Sequence, residues 1–203
     1  MQILLATGNK KKRAEFERMF APLGVELLDV PAAGLPDTIE DRPDFAGNAE
    51  KKAHEAALAF GVWALADDSG LSVDALGGAP GVHSARFAGE HGDDAANNAK
   101  LLVELAAVGA IEPAARAAHF TCALCLCRPD GSVALAVEGE AHGQILEASR
   151  GDHDFGYDPL FLFTEPGFAE TGSGFAELEP AGKAAVSHRG RALALLAARL
   201  GDL

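Results

Sequence analysis

The alternation of apolar and polar positions along the chain predicts strands and helices in regular succession. Residues 2–7 form a short apolar run with the character of a buried strand. Gly8-Asn9 breaks it, and Phe16, Met19 and Phe20 then share one face of a helix expected over residues 10–20. Residues 25–30 read as a second strand, followed by a proline- and acid-rich loop over residues 31–43. Asp44 has the place of an N-cap for a helix running to Phe60, with Phe45, Ala49, Ala53, Ala56 and Phe60 as its apolar stripe and Gly61 as its stop. Residues 62–66 predict a strand that leads into Asp67-Asp68-Ser69-Gly70 and continues over residues 71–76 to a glycine-rich loop, residues 77–81. Asp93 or Asp94 caps a helix carrying Leu101, Leu102 and Leu105 and ending at Gly109. Two long strands follow, residues 117–128 and 132–146, and Asp130-Gly131 between them is a hairpin signal. A loop over residues 149–158 precedes a strand at 159–163, and a last helix is expected over residues 182–200, with Leu193, Leu196 and Leu200 facing inward. The order holds both βαβ units and a hairpin, so the expected class is α/β with a mixed sheet.

Composition narrows the possible partners. The 203 residues carry a net charge of −13, and a polyanion needs a basic face that such a chain lacks, so no nucleic-acid polymer is expected as a partner. A small phosphorylated ligand needs only a local basic pocket. The first apolar stretch precedes the lysines, the wrong order for a signal peptide, and no stretch is long enough to cross a bilayer; a cytoplasmic protein with no membrane partner is expected. Cys122, Cys125 and Cys127 lie in the apolar run HFTCALCLC and read as reduced core thiols, since a second cysteine pair for zinc is lacking. There is no G-x-x-x-x-G-K-[ST], no G-x-G-x-x-G and no G-x-S-x-G, and His54-Glu55 fails the zinc-protease pattern because residue 58 is Leu58.

Five segments carry candidate chemistry. Thr7-Gly8-Asn9-Lys10-Lys11-Lys12 falls where a strand passes into a helix, and free backbone N–H groups there attract an anion. Lysines in a first helical turn oppose the helix dipole, so three together suit an anionic partner or a solvated basic helix start. Asp67-Asp68-Ser69-Gly70 stands at an expected strand end, where α/β folds collect ligands, although the same residues favour a plain turn. Adjacent carboxylates on a strand point to opposite faces, so only one of the two would serve a metal. Glu40 could complete an oxygen set for Mg²⁺, but spacing does not separate it from Asp37, Asp41 or Asp44. Phe155-Gly156-Tyr157-Asp158 could stack on a base and hydrogen-bond its edge, or form a turn with a packed aromatic. Lys183, His188 and Arg189 could frame a ligand, or form the polar face of an amphipathic helix. His83-Ser84-Ala85-Arg86 is a further phosphate-contact candidate that reads equally as a surface loop.

Taken in order, LLATGNKKKRAEF, FAGNAEKKA, LADDSGLSVDALGGAPGVHSARFAG, FGYDPLF and SHRGRAL resemble the inosine/xanthosine triphosphate pyrophosphatases, the Ham1-like family, over nearly the whole chain. The resemblance implies one domain over residues 1–203, a long twisted mixed sheet flanked by helices in two lobes around a central cleft, and a homodimer. It implies Mg²⁺-dependent hydrolysis of ITP, dITP and XTP to monophosphate and pyrophosphate, an activity that clears non-standard purines from the nucleotide pool. It also implies roles. Thr7, Gly8, Asn9, Lys10, Lys11 and Lys12 correspond to the triphosphate-binding turn, Asn48 and Lys52 to helix residues that reach the phosphates, and Glu40 to a metal-binding glutamate. Asp68 corresponds to the carboxylate that binds metal and accepts the proton of the attacking water, and Ser69 to a ligand contact. Phe155, Gly156, Tyr157, Asp158, Lys183, His188 and Arg189 correspond to the base and sugar-phosphate pocket. The alternatives are a related pyrophosphatase acting on pyrimidine or modified nucleotides, as in the similar Maf-like group, and a nucleotide-binding module without catalysis.

Overall fold

The computed structural model describes residues 1–152, 155–201 and 203; His153 and Asp154 of the loop before Phe155 lie outside the described residues. The elements are β1 (Gln2–Leu5), α1 (Lys10–Phe20), β2 (Glu26–Leu28), α2 (Phe45–Phe60), β3 (Ala64–Val73), α3 (Asp94–Ala107), β4 (Ala117–Cys127), β5 (Val133–Ile145), β6 (Phe161–Phe163), α4 (Pro180–Val186) and α5 (His188–Leu200). The strands form one sheet in the order β2-β1-β3-β4-β5-β6. β1 runs parallel to β2 and β3, and β6 runs antiparallel to β5, so the sheet is mixed, as expected. No described helix is long and apolar enough to cross a membrane.

The chain divides into two compact units, one of Met1–Asp68, Cys122–Gly139 and Ala192–Leu203, the other of Ser69–Thr121 and Glu140–Arg191. In the first unit, Phe16 and Phe20 of α1 and Leu193 and Leu196 of α5 pack with Ile3, Leu5, Leu65, Leu124 and Leu126. Each such side chain contributes about 1.5–3 kcal/mol through removal from water. A separate cluster joins Ala49, Ala53, Ala56 and Ala57 of α2 to Ala64, Ala66, Ala123, Cys125 and Cys127. Small side chains on both surfaces let α2 lie close to the strands, and the polar residues beside the alanine stripe are carried in with it. All three cysteines are buried free thiols. The hairpin at Asp130-Gly131 is present: Gly131 N donates to Arg128 O at 2.8 Å, and Asp130 Oδ1 accepts from Ser132 N at 2.9 Å. In the second unit, Phe120, Phe161, Phe163 and Phe175 form the centre of a core with Leu71, Val73, Leu101, Leu105 and Val186. The Phe161 ring lies 4.7 Å from Phe120 and 4.6 Å from Phe175, within the range of favourable aromatic pairs.

Two expectations need correction. Asp67-Asp68-Ser69-Gly70 is neither a turn nor a strand end: β3 runs unbroken from Ala64 to Val73, with the acidic pair inside it. The expected last helix, residues 182–200, is two helices. Ser187 is extended, at φ −71° and ψ 153°, and ends α4; its hydroxyl then accepts from Gly190 N at 3.1 Å to cap the start of α5. The apolar periodicity continues across this break, which is why the pattern alone does not reveal it. Glycine is required at 190, because a Cβ there would stand 1.8 Å from the carbonyl oxygen of Ala184. Gly190→Ala is therefore expected to cost at least about 1–3 kcal/mol through forced separation of the two backbones. A urea midpoint matching the parent protein would contradict this.

Candidate active site

In the first unit the site begins at the cap of α1. Asn9 Oδ1 accepts from Lys11 N at 2.9 Å and Lys12 N at 3.1 Å, and Thr7 Oγ1 accepts from Asn9 N at 3.2 Å. The turn is built by Thr7 and Asn9, and Gly8, Lys10 and Lys11 are exposed on it. Lys12 instead folds inward, where its Nζ donates to both oxygens of Asp67, at 3.1 and 3.0 Å. Asp67 is 2% exposed, so this pair is largely removed from water.

The neighbouring carboxylate takes a different lysine. Lys52 Nζ donates to Asp68 Oδ1 at 3.0 Å and to Glu40 Oε1 at 2.7 Å, joining the two acidic groups that the family resemblance pairs as metal ligands. The other oxygen, Asp68 Oδ2, is buried and has no hydrogen-bond partner among the described residues. Glu40 is singled out from its acidic neighbours by this geometry, and its loop is tied to one face of α2. Asn48 Oδ1 accepts from Arg42 N at 3.0 Å, Lys51 Nζ donates to Ile39 O at 2.8 Å and Asp41 Oδ1 at 2.9 Å, and Thr38 Oγ1 donates to Glu55 Oε2 at 2.5 Å. Asn48, Lys51, Lys52 and Glu55 recur at helical spacing, so one stripe of α2 holds the whole loop. Asn48 Nδ2 is itself buried with no partner among the described residues.

The electrostatics follow from burial and this charge pattern. Burial pushes the Asp68 carboxyl above the usual aspartate value; Lys52 opposes the shift, and the like charge of Glu40 adds to it. Burial alone would lower the Lys52 ammonium, but the charges of Asp68, Asp67 and Glu40 together hold it above the usual lysine value. Asp68 therefore combines a raised proton affinity with an open oxygen acceptor. An oxygen-only set of this kind suits a hard divalent cation. Among the described residues no group of three or more His, Cys, Asp or Glu side chains is arranged to hold a metal, so bound phosphate and water would supply the remaining oxygens.

The second unit gathers the other candidates. Asp158 is 2% exposed and forms a short ion pair with Lys183. The Phe155 ring lies 5.4 Å from Lys183 Nζ and 5.8 Å from the Arg189 guanidinium, both within cation–π range. Arg189, 2% exposed, donates from Nη2 to Ser69 Oγ at 3.0 Å. His188 stacks on Phe120 with ring centroids 4.6 Å apart and planes 12° apart. Tyr157 is buried, and its hydroxyl donates to Ser84 O at 2.9 Å; burial pushes the phenol well above its usual value. Ser69, Phe155, Asp158, Lys183 and Arg189 thus form one connected group, whereas Tyr157 fastens the loop to residue 84. The helix break at Ser187 brings this about, because it separates Lys183 on α4 from His188 and Arg189 on α5. Asp67 stood in a candidate segment without a role of its own, and Lys51 and Glu55 were not anticipated. Only the helical spacing of polar residues beside the alanine stripe of α2 offered a signal for the last two.

The profile of the Ham1 family matches residues 3–199. The chain belongs to the Ham1 family. Its relatives include a protein of Exiguobacterium sibiricum named dITP/XTP pyrophosphatase, 50% identical over 98% of this chain and 97% of its own length. A protein of the same name from Rhodopirellula baltica is 47% identical, covering 98% of this chain and 92% of its own. Among solved structures, a HAM1 protein from Coxiella burnetii superposes with a TM-score of 0.87 at 36% identity over the full length of both chains. The dITP/XTP pyrophosphatase of Mycobacterium abscessus gives 0.73 at 45% identity over 97% of this chain and 98% of its own. The Ham1 assignment agrees with the order of motifs and with the mixed sheet flanked by helices.

Two outcomes are expected of this Ham1 chain. Lys12→Ala should cost about 3 kcal/mol, because it strips the ammonium from a buried carboxylate, and adding Asp67→Asn should recover more than half of that loss. Urea unfolding of the single and double variants checks it; additive losses would count against the pairing. The raised carboxyl of Asp68 means that the folded state binds its proton more tightly than the unfolded chain does. In EDTA, stability from this group is therefore full below the ordinary aspartate value and falls as pH rises through the raised one. Asp68→Asn should remove that fall, seen as a difference between the variant and parent urea midpoints that widens with pH. A difference independent of pH would refute it.

Proposed function

We propose that this protein hydrolyses non-standard purine nucleoside triphosphates, ITP, dITP and XTP, to the monophosphate and pyrophosphate. The observation that carries the reading is the buried Asp68, held at one oxygen by the lysine that also holds Glu40 and open at the other. It stands in a Ham1-family chain whose relatives include proteins named dITP/XTP pyrophosphatase. In this reading residues 1–203 act as one domain of a cytoplasmic homodimer, as the family resemblance implies.

Glu40 and Asp68 are the residues that would hold Mg²⁺, the hard cation their oxygens suit. A cation held by these two carboxylates would supply charge neutralisation on the phosphate oxygens. Asp68 orients the attacking water and accepts its proton, a task that its raised proton affinity assists. Water adds at the α-phosphorus, the bond to the bridging oxygen breaks, and pyrophosphate leaves. Lys52 offers positive charge to the phosphates, as do Lys12 and the exposed lysines of the capped turn, with Asn9 and Thr7 shaping the backbone that meets them. Positioning and electrostatics supply most of the acceleration in such chemistry. Asn48 keeps a buried amide donor available beside the same loop.

At the base, Phe155 supplies an aromatic face, and Asp158, Lys183, His188 and Arg189 supply charge and hydrogen bonds. Hypoxanthine and xanthine accept a hydrogen bond at the 6-oxygen, whereas the 6-amino group of adenine donates one. A fixed donor such as Arg189 therefore rejects adenine, at about 1–3 kcal/mol for each mismatched buried group.

The test is pyrophosphate release from ITP, XTP, GTP and ATP with and without Mg²⁺. Release from ITP and XTP that needs Mg²⁺ and greatly exceeds release from ATP and GTP is expected, and Asp68→Asn should lose at least about a thousandfold in kcat while still binding ITP. Release confined to pyrimidine or modified nucleotides, or nucleotide binding without product, would replace the proposal.

A further inference from the structure

The base-side loop of the second unit is held from a direction that the proposed chemistry does not use. Gly156 has a left-handed backbone, at φ +56°. Its N–H donates to Asp94 Oδ2 at 2.9 Å, and its C=O accepts from Asn98 Nδ2 at 2.7 Å. The two gripped groups lie on either side of the Gly156 α-carbon, so together they fix the two soft torsions of that residue. Those torsions set where Phe155, on one side, stands relative to Asp158 on the other. Asp94 and Asn98 lie one helical turn apart in α3 and so face the same way.

The grip is locked at its base. Asn98 Nδ2 also donates to Asp94 O at 2.8 Å, which orients its amide. The neighbouring Asn97, 2% exposed, accepts from Ala88 N at 2.7 Å and donates to Ala85 O at 3.3 Å. Tyr157 then joins that segment to the base-side loop through Ser84 O. Asn98 Oδ1, by contrast, is buried with no partner among the described residues, a cost that packing alone gives no reason to keep.

We infer that Asp94 and Asn98 are positioning residues for purine recognition: by holding Gly156 through both its N–H and its C=O, they set the separation of Phe155 from Asp158 and Lys183. This rests on the proposed function. Both residues hold the base-side loop, so their effect falls on base recognition and leaves bond breaking alone. Displacements of about 1 Å in a substrate-positioning group can cost on the order of a hundredfold. Loss of one of two grips should cost less, about tenfold.

The experiment compares kcat and KM for ITP and ATP in the parent, Asp94→Ala, Asn98→Ala, Asp94→Asn and Asp93→Ala, each with Mg²⁺ and each first shown by urea unfolding to be folded. Asp94→Ala and Asn98→Ala should raise KM for ITP about tenfold and lower the ITP/ATP ratio of kcat/KM by a similar factor, with kcat for ITP within about twofold of the parent. Asp94→Asn keeps an acceptor for Gly156 N and should restore parent values. Asp93→Ala removes only the helix cap, whose oxygen accepts from Ala96 N, and should leave KM and selectivity unchanged. Calorimetric affinity for ITP in EDTA should weaken in parallel with KM. Either alanine variant suffices if the other does not fold. Loss of kcat at constant KM, no rescue by Asp94→Asn, or an equal effect from Asp93→Ala would overturn the inference. A parent enzyme that releases no pyrophosphate from ITP would instead overturn the proposed function, and that outcome is read before any variant is compared.

Discussion

Two adjacent aspartates stand in the middle of a buried strand, and the first unit of this protein brings a cation to each of them. Asp67 and Asp68 are 2% and 7% exposed. Successive residues of a strand face opposite ways, so one lysine cannot serve both. Lys12 comes from α1 to Asp67, and Lys52 comes from α2 to Asp68. The placement of both helices is thereby tied to β3 by charge as well as by apolar contact. Removing such charges from water costs several kcal/mol for each ion, which the pairing only offsets.

The alanine stripe of α2 makes the arrangement possible. Had its inward residues been leucines, the helix would stand farther from the strands, and Lys52 would fall short of Asp68. Close approach also brings the polar stripe of Asn48, Lys51, Lys52 and Glu55 against the acidic loop, so that Glu40 reaches the same ammonium as Asp68. The packing of α2 and the meeting of Glu40 and Asp68 at one ammonium are in this sense one structural fact. The second unit repeats the principle with other residues. There the buried Asp158 meets Lys183, and the buried Arg189 meets Ser69, because the chain breaks between α4 and α5.

In the proposed function, the groups assigned to the phosphates and the groups assigned to the base are different residues. The carboxylates and lysines of the first unit have the chemistry for a metal, a phosphate and a water. The aromatic, acidic and guanidinium groups of the second have the chemistry for a purine edge. The loop at Gly156 on the base side is held by Asp94 and Asn98 of α3, and the inferred role of α3 in recognition rests on that hold.

Much of this was legible in the chain itself. The apolar periods placed α1, α2 and α3, Asp130-Gly131 placed the hairpin, and the mixed sheet followed from the order of elements, because these depend on local propensity and on the period with which side chains meet a core. The ordered motifs were enough to name the family. What needed the tertiary structure was whatever depends on residues far apart in sequence. The sequence could not distinguish Glu40 from Asp37, Asp41 and Asp44, since that choice is made by a lysine twelve positions away on α2. It misplaced Asp67 and Asp68 at a strand end, because turn-forming residues look alike whether or not lysines arrive to let them stay in a strand. It ran α4 and α5 together, because apolar spacing persists across Ser187 and does not reveal the close approach of Gly190 to Ala184 that accompanies the break. Composition and periodicity therefore determined which elements form and which faces they bury; the pairing of charges in a medium of low dielectric, a long-range matter, decided which of the polar residues came together.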